Sequence, residues 1–135
     1  MFVEGKTMDR KQIIQELVAQ KWHPRTIDVW VRAQGRCEYC GKSLVESPDE
    51  YFFGSHVDHI IPNAGDTLDN LALACKACNF IKRHRRFSED AAVANATWQR
   101  SEVIEKASQY IAQIRERDRG RLDKQLKLLR ALEEP

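Results

Sequence analysis

The sequence has no stretch approaching the ~20 consecutive apolar residues that a membrane span needs. Its opening, MFVEGKTMDRKQII, also lacks the apolar core of a secretory leader. The expected compartment is therefore the reducing cytoplasm, where disulfides are rare, and no membrane partner is expected. An excess of charge of one sign is lacking as well. With 22 basic and 20 acidic residues, the formal net charge is only +2, which alone makes no case for a nucleic-acid partner. There is no internal repeat and no low-complexity segment, so repeat arrays and biased linkers are excluded.

What is present is 135 residues, 42% hydrophobic and 31% charged, enough for one soluble domain with a modest core. Three stretches are visible, at residues 1–24, 25–87 and 88–135. In the first, DRKQIIQELVAQ places Ile13, Ile14, Leu17 and Val18 at helical spacing, with Asp9 and Gln12 as a capping box. Pro24 stops that helix and can open the next. PRTIDVWVRAQG then predicts a helix with Ile27, Trp30 and Val31 inward, closed by Gly35. YFFGSHVDHIIP is β-branched and aromatic, so it predicts a strand ended by Pro62. NAGDTLDN reads as a loop, LALA as a short strand and CKACNFIKRHRR as the start of a helix. In the last stretch Ser88 and Ser101 are expected N-caps. Val103, Ala107, Tyr110, Ile111 and Ile114 form one stripe, continued by Leu122, Leu126 and Leu129 past a break at Gly120. The stripe suits either a helical pair folded back on the module or a face for a second copy or another protein. Trp22, Trp30 and Trp98 read as packing residues, and His23 as a surface residue without a partner.

Cysteine is confined to two pairs, Cys37-x-x-Cys40 and Cys75-x-x-Cys78, with residues 41–74 (34 in number) between them. A CxxC turn lets two thiolates converge on one metal at about 2.3 Å, and two such turns complete a tetrahedral Cys₄ zinc site. Four buried unpaired thiols or two disulfides are the competing readings. The paired spacing in a reducing compartment favours zinc. Four protein ligands leave no open position for water, so such a zinc is structural.

Between the pairs lies HVDHIIP, where His56, Asp58 and His59 interrupt a run of Val and Ile. Asn70 follows, and Asn79 directly succeeds the last cysteine. Strict strand alternation puts Asp58 and His59 on opposite faces and groups His56 with Asp58. His56 therefore stands as a further metal ligand or a DNA contact. After Asn79 comes KRHRR (Lys82 to Arg86), four fixed positive charges in five residues: a solvated helix face, or a clamp for a phosphate backbone.

Taken in order, CEYCG, HVDHIIP and LDNLALACKACNFIK resemble the HNH endonucleases, in their zinc-knuckle branch, over residues 35–83. The resemblance implies an α+β fold. A small ββα-metal core would be stapled by the Cys₄ zinc and flanked by N- and C-terminal helices. It implies that His59 is the general base that deprotonates water. Asp58 and Asn79 would hold one divalent cation, Mg²⁺ or another such as Mn²⁺. Asn70 would tether the loop and help orient the histidine, and Lys82 would lie near phosphate. The implied substrate is DNA, double-stranded by expectation, cut to leave a 5′-phosphate and a 3′-hydroxyl. Lys82, Arg83, His84, Arg85 and Arg86, with His56, are the expected DNA contacts. One departure is a single Gly65 where many members carry a glycine pair, expected to alter the loop rather than the chemistry. The chemistry fits these residue types. A histidine can accept a proton at neutral pH, and a hard cation prefers oxygen donors. A zinc-stapled DNA-binding module without activity and a nuclease subunit of a larger assembly are the alternatives.

Overall fold

Local signals decide most of the elements. A computed structural model of the chain describes residues 2–3, 6–62, 64–83 and 99–133. Two short strands, β1 (Phe2–Val3) and β2 (Lys6–Thr7), pair antiparallel at the start and were not expected from the sequence. Helix α1 (Arg10–Ala19) opens on the expected capping box, Asp9 accepting from the Gln12 amide while Gln12 reaches back to the Asp9 amide. None of its residues is buried, so its apolar positions only rest against neighbours.

Helix α2 (Pro24–Ala33) has Pro24 in its first turn, as expected. His23 is not a residue without a partner: its Nδ1 accepts from the Arg25 amide at 3.1 Å and caps the helix. The inward face is Ile27 and Val29, with Trp30 packed at its edge, whereas Val31 is exposed. Position 31 falls one residue past the buried stripe, and β-branching alone does not move it inside. The helix ends with Gln34 itself left-handed, followed by Gly35, also at positive φ.

The expected long strand from Tyr51 is corrected by the structure. Tyr51, Phe52 and Phe53 belong to helix α3 (Pro48–Phe53). Ser47 caps it by accepting from the Glu50 amide, Pro48 opens it, and Asp49 and Glu50 sit at its positive end. That start signal outweighs the β-propensity of the aromatics, and Gly54 terminates the helix. Trp22, Trp30 and Tyr51 pack edge-on or tilted with centroids 5.2–6.3 Å apart, joining the turn after α1 to α2 and α3.

Strand β3 (Ser55–His59) and strand β4 (Leu71–Cys75) form an antiparallel pair, Ser55 opposite Cys75 and His59 opposite Leu71. A 3₁₀ turn at Leu68–Asn70 interrupts the expected loop. Helix α4 (Lys76–Arg83) follows β4 directly and packs on both strands, giving a ββα unit. All five residues of β4 are buried. Its outer edge is closed by the first cysteine turn: the Glu38 amide donates to the Leu73 carbonyl at 2.7 Å, and the Glu38 carboxylate accepts from the Leu73 amide at 3.0 Å.

Helix α5 (Arg100–Glu133) runs unbroken for 34 residues, roughly 51 Å at ~1.5 Å per residue. The break expected at Gly120 is absent: glycine lowers helix propensity by only about 1 kcal/mol, and good helix formers flank it. Ser101 lies inside the first turn and is not the cap. Ser88 and Trp98 lie outside the described residues. Val103, Ala107 and Ile111 of the stripe are buried, joining Val29, Leu44, Ile60, Ile61 and Leu73 in one core. Burying each large side chain is worth about 1.5–3 kcal/mol. Leu122 and Leu129 are exposed. Among the described residues no helix is long and apolar enough to cross a membrane.

Candidate functional site

The two cysteine pairs meet. Cys37, Cys40, Cys75 and Cys78 place their sulfurs within 4.8 Å of one another, and Cys40 Sγ lies 3.8 Å from Cys75 Sγ. A tetrahedral zinc with bonds of about 2.3 Å separates its sulfurs by about 3.8 Å, so the cluster could hold zinc. The first turn is drawn tight by the Gly41 amide on the Cys37 carbonyl (2.8 Å), with Gly41 at φ 80°, where a side chain is strained. The electrostatics suit a cation here. The thiols hydrogen-bond to one another, first Cys37 to Cys75, which favours a thiolate at Cys75 and pushes Cys37 up to about 11. Cys78 is pushed up too, by Cys37, Cys75 and burial. Four thiolates can share this space only around a metal ion. Arg115 of α5 donates to Cys75 Sγ at 3.8 Å; burial opposes its charge, but the sulfurs of Cys78 and Cys75 hold it firmly protonated.

At the far end of β3 the polar residues separate by depth. Asp58 is nearly buried, its side chain 12% exposed, while His59 is 47% exposed. Asp58 Oδ2 accepts from the Tyr39 hydroxyl at 2.7 Å and faces the Lys82 ammonium at 3.0 Å. Burial first, then the Asp58 charge, keep the Tyr39 phenol protonated as the donor. Lys82 also donates to the His59 carbonyl at 2.9 Å, tying the two consecutive site residues to α4. Lys82 was expected to face phosphate. It is instead 6% exposed, because α4 lies across β3 and turns this position inward. Among the described residues the contacts to Asp58 all fall on Oδ2, leaving Oδ1 open.

Asn70 is 1% exposed and closes the loop between the strands from inside. Its Oδ1 accepts from the Ile61 amide (2.9 Å), and its Nδ2 donates to the carbonyls of Ile61 (3.0 Å) and Gly65 (2.8 Å). Its own carbonyl accepts from the Ile60 amide at 2.9 Å. An amide has this donor and acceptor set and a leucine of similar size has none. Asn70→Leu is therefore expected to cost about 2–4 kcal/mol by stranding buried backbone groups, read as a lowered urea midpoint at unchanged slope.

Asn79 sits half-buried on α4, one residue after Cys78, and its side chain makes no hydrogen bond among the described residues. His56 is exposed on β3 opposite Ala74 and meets neither Asp58 nor His59 among them. Burial along β3 does not alternate, so exposure does not separate the two faces that the alternation predicts. Of the basic run, His84, Arg85 and Arg86 lie outside the described residues, as does the Arg83 side chain.

Three residues escaped the sequence reading. Tyr39, between the first two cysteines, reaches Asp58. Asp66 lies 2.6 Å from His59 Nε2 through its Oδ1. Glu38 binds Arg32 (2.9 Å) and Arg100 (2.7 Å) besides Leu73. Only the position of Glu38 and Tyr39 inside CEYC hinted at a structured role, because every CxxC turn fixes the two residues it encloses. Burial alone would raise the Glu38 carboxyl, but Arg32, the Leu73 amide and Arg100 together hold it below its ordinary 4.5. A depressed carboxyl adds stability above its unfolded value and loses it as pH falls through the folded one. Glu38→Gln is thus expected to melt lower at neutral pH, by about 1–3 kcal/mol, with the gap to wild type closing in melts recorded below pH 4.5.

A ββα unit stapled by four cysteines, with a histidine and an aspartate at the strand end, defines a known class of domain. Residues 37–85 match the family model described as HNH endonuclease. No curated protein and no solved structure matches the chain.

Proposed function

We propose that the protein is a metal-dependent DNA endonuclease in which His59 takes the proton from the attacking water. One observation carries the reading. An exposed His59 stands beside the anchored Asp58 at the end of β3, and α4, which carries Asn79, packs across that strand. Asp58 Oδ1 and the Asn79 amide oxygen are hard donors that suit Mg²⁺ or Mn²⁺. A bound ion of this kind supplies charge neutralisation at the phosphate and at the departing oxygen. The chain's own residues do the rest. His59 serves as the proton acceptor. Tyr39 and Lys82 fix the Asp58 carboxylate so that Oδ1 keeps one direction. Asn70 holds the loop beside His59, and the run from Arg83 to Arg86 supplies charge for the phosphate backbone, with His56 as a further contact. The cysteine cluster, loaded with zinc, keeps the ββα unit together.

The Lys82–Asp58 ion pair favours a second reading, a zinc-stapled module that binds DNA without cutting it, because the ammonium already neutralises the carboxylate. Plasmid cleavage by zinc-loaded protein with Mg²⁺, Mn²⁺ or EDTA separates the two. Nicking or linearisation that EDTA abolishes is the expected result. Folded protein that shifts DNA on a gel but cuts with no ion would replace the nuclease by the binding module.

A further inference from the structure

The Nε2 atom of His59 and the Oδ1 atom of Asp66 are 2.6 Å apart. A carboxylate at that distance only accepts, so Nε2 carries the proton in this contact. In a neutral imidazole the proton can be on one nitrogen only, and Nδ1 is then the bare acceptor. Among the described residues Nδ1 has no hydrogen-bond partner.

Asp66 does not sit there by chance of an exposed side chain. Its backbone follows Gly65, whose φ of 97° a side chain would strain. The Gly65 carbonyl is held by buried Asn70, which also grips Ile61 by both its amide and its carbonyl. The Ala64 amide closes the same turn onto the Ile61 carbonyl at 3.3 Å. One buried amide thus sets both ends of the loop, two residues beyond His59 at one end and one residue before Asp66 at the other. The pair itself is exposed, His59 at 47% and Asp66 at 70%, and a pair so exposed adds little to stability. Its geometric order is therefore not explained by folding.

We infer that Asp66 is a positioning residue that fixes the ring of His59 with Nε2–H inward to the loop and Nδ1 presented as the proton acceptor. This rests on the nuclease reading for its consequence, though not for the hydrogen bond. It also assigns Asp66, next to the single Gly65, a part in the chemistry where only a change of loop shape was expected. The same logic governs any histidine base oriented by a carboxylate.

The test is made on the full chain, zinc-loaded, with wild type, Asp66→Ala and Asp66→Asn. Long-range ¹H–¹⁵N correlation spectra at mildly alkaline pH read the His59 tautomer, assigned by the signal lost in His59→Ala. Wild type is expected to show a fixed Nε2–H pattern, and Asp66→Ala a pattern averaged between tautomers. In plasmid cleavage Asp66→Ala is expected to lower kcat about 10- to 100-fold with KM unchanged. Asp66→Asn, whose amide oxygen can accept the same bond, is expected to recover most of that loss. Identical His59 spectra in wild type and Asp66→Ala overturn the inference, whatever the cleavage shows. So does an unchanged kcat in Asp66→Ala, or a fall with no recovery in Asp66→Asn. A wild-type protein that cuts with no ion removes the positioning role along with the nuclease reading. The spectra then tell the two failures apart, since the hydrogen bond is still seen or still missing.

Discussion

Stripping the zinc proposed for the cysteine cluster is expected to unfold the ββα unit, not merely to silence it. The cluster joins residues 37 and 40 to residues 75 and 78, alongside the Glu38 contacts and the burial of Tyr39 and Leu44 in the same core as β4. Without an ion, ionised sulfurs crowded within 4.8 Å repel, and buried Cys37 and Cys78 have to stay protonated. Structural zinc sites of this kind contribute roughly 10 kcal/mol or more, against a typical total stability of about 5–15 kcal/mol. Cys78→Ser, or a chelator strong enough to take zinc, should therefore abolish the cooperative thermal transition and expose all four thiols to a thiol reagent. Helical signal from α5 should outlast it in part. A chelated protein that keeps its transition would show that the core alone suffices and that the cluster is incidental.

The second large effect is at His59. Replacing it with alanine is expected to lower the cleavage rate about 10²- to 10⁴-fold, the usual worth of a general base. The fold should barely notice, because the ring is half exposed and its one hydrogen-bond partner among the described residues is exposed Asp66. DNA affinity and zinc content are expected to stay within a few tenths of a log unit of wild type, as for a surface change. Asp58 offers the contrast. Its removal takes away the carboxylate that faces the Lys82 ammonium and accepts from the Tyr39 hydroxyl, both largely buried, so Asp58→Ala should lose stability as well as activity. A His59→Ala protein that cuts at the wild-type rate would falsify the role given to this histidine and turn attention to another acceptor.

Sequence reading reached the parts of this protein that rest on local or repeated signals. The capping box at Asp9, the proline start at Pro24 and the strand–loop–strand–helix order from Ser55 to Arg83 all follow from short-range rules. The cysteine spacing announced the cluster because a metal demands a fixed ligand geometry. The misses share one physical cause, which is competition. At Tyr51–Phe53 a helix start signal competed with β-propensity and prevailed. At Gly120 a mild breaker sat among strong helix formers and lost. Lys82 reads as part of a basic run, but the packing of α4 decides which member of the run turns inward, and the sequence does not display that. Asp66 carried no signal at all, since its meaning comes from a loop closed by Asn70.

Helix α5 bears on how this molecule moves through solution. From residue 119 to 133 every position but Leu126 is exposed, so about 22 Å of helix, at ~1.5 Å per residue, stands clear of the core. A body with such a projecting rod drags more than a sphere of 15.7 kDa and tumbles unequally about its axes. A single chain should therefore leave a gel-filtration column early, at a volume calibrated for a heavier globule. Light scattering, which weighs particles without regard to their outline, is the reading that counts chains.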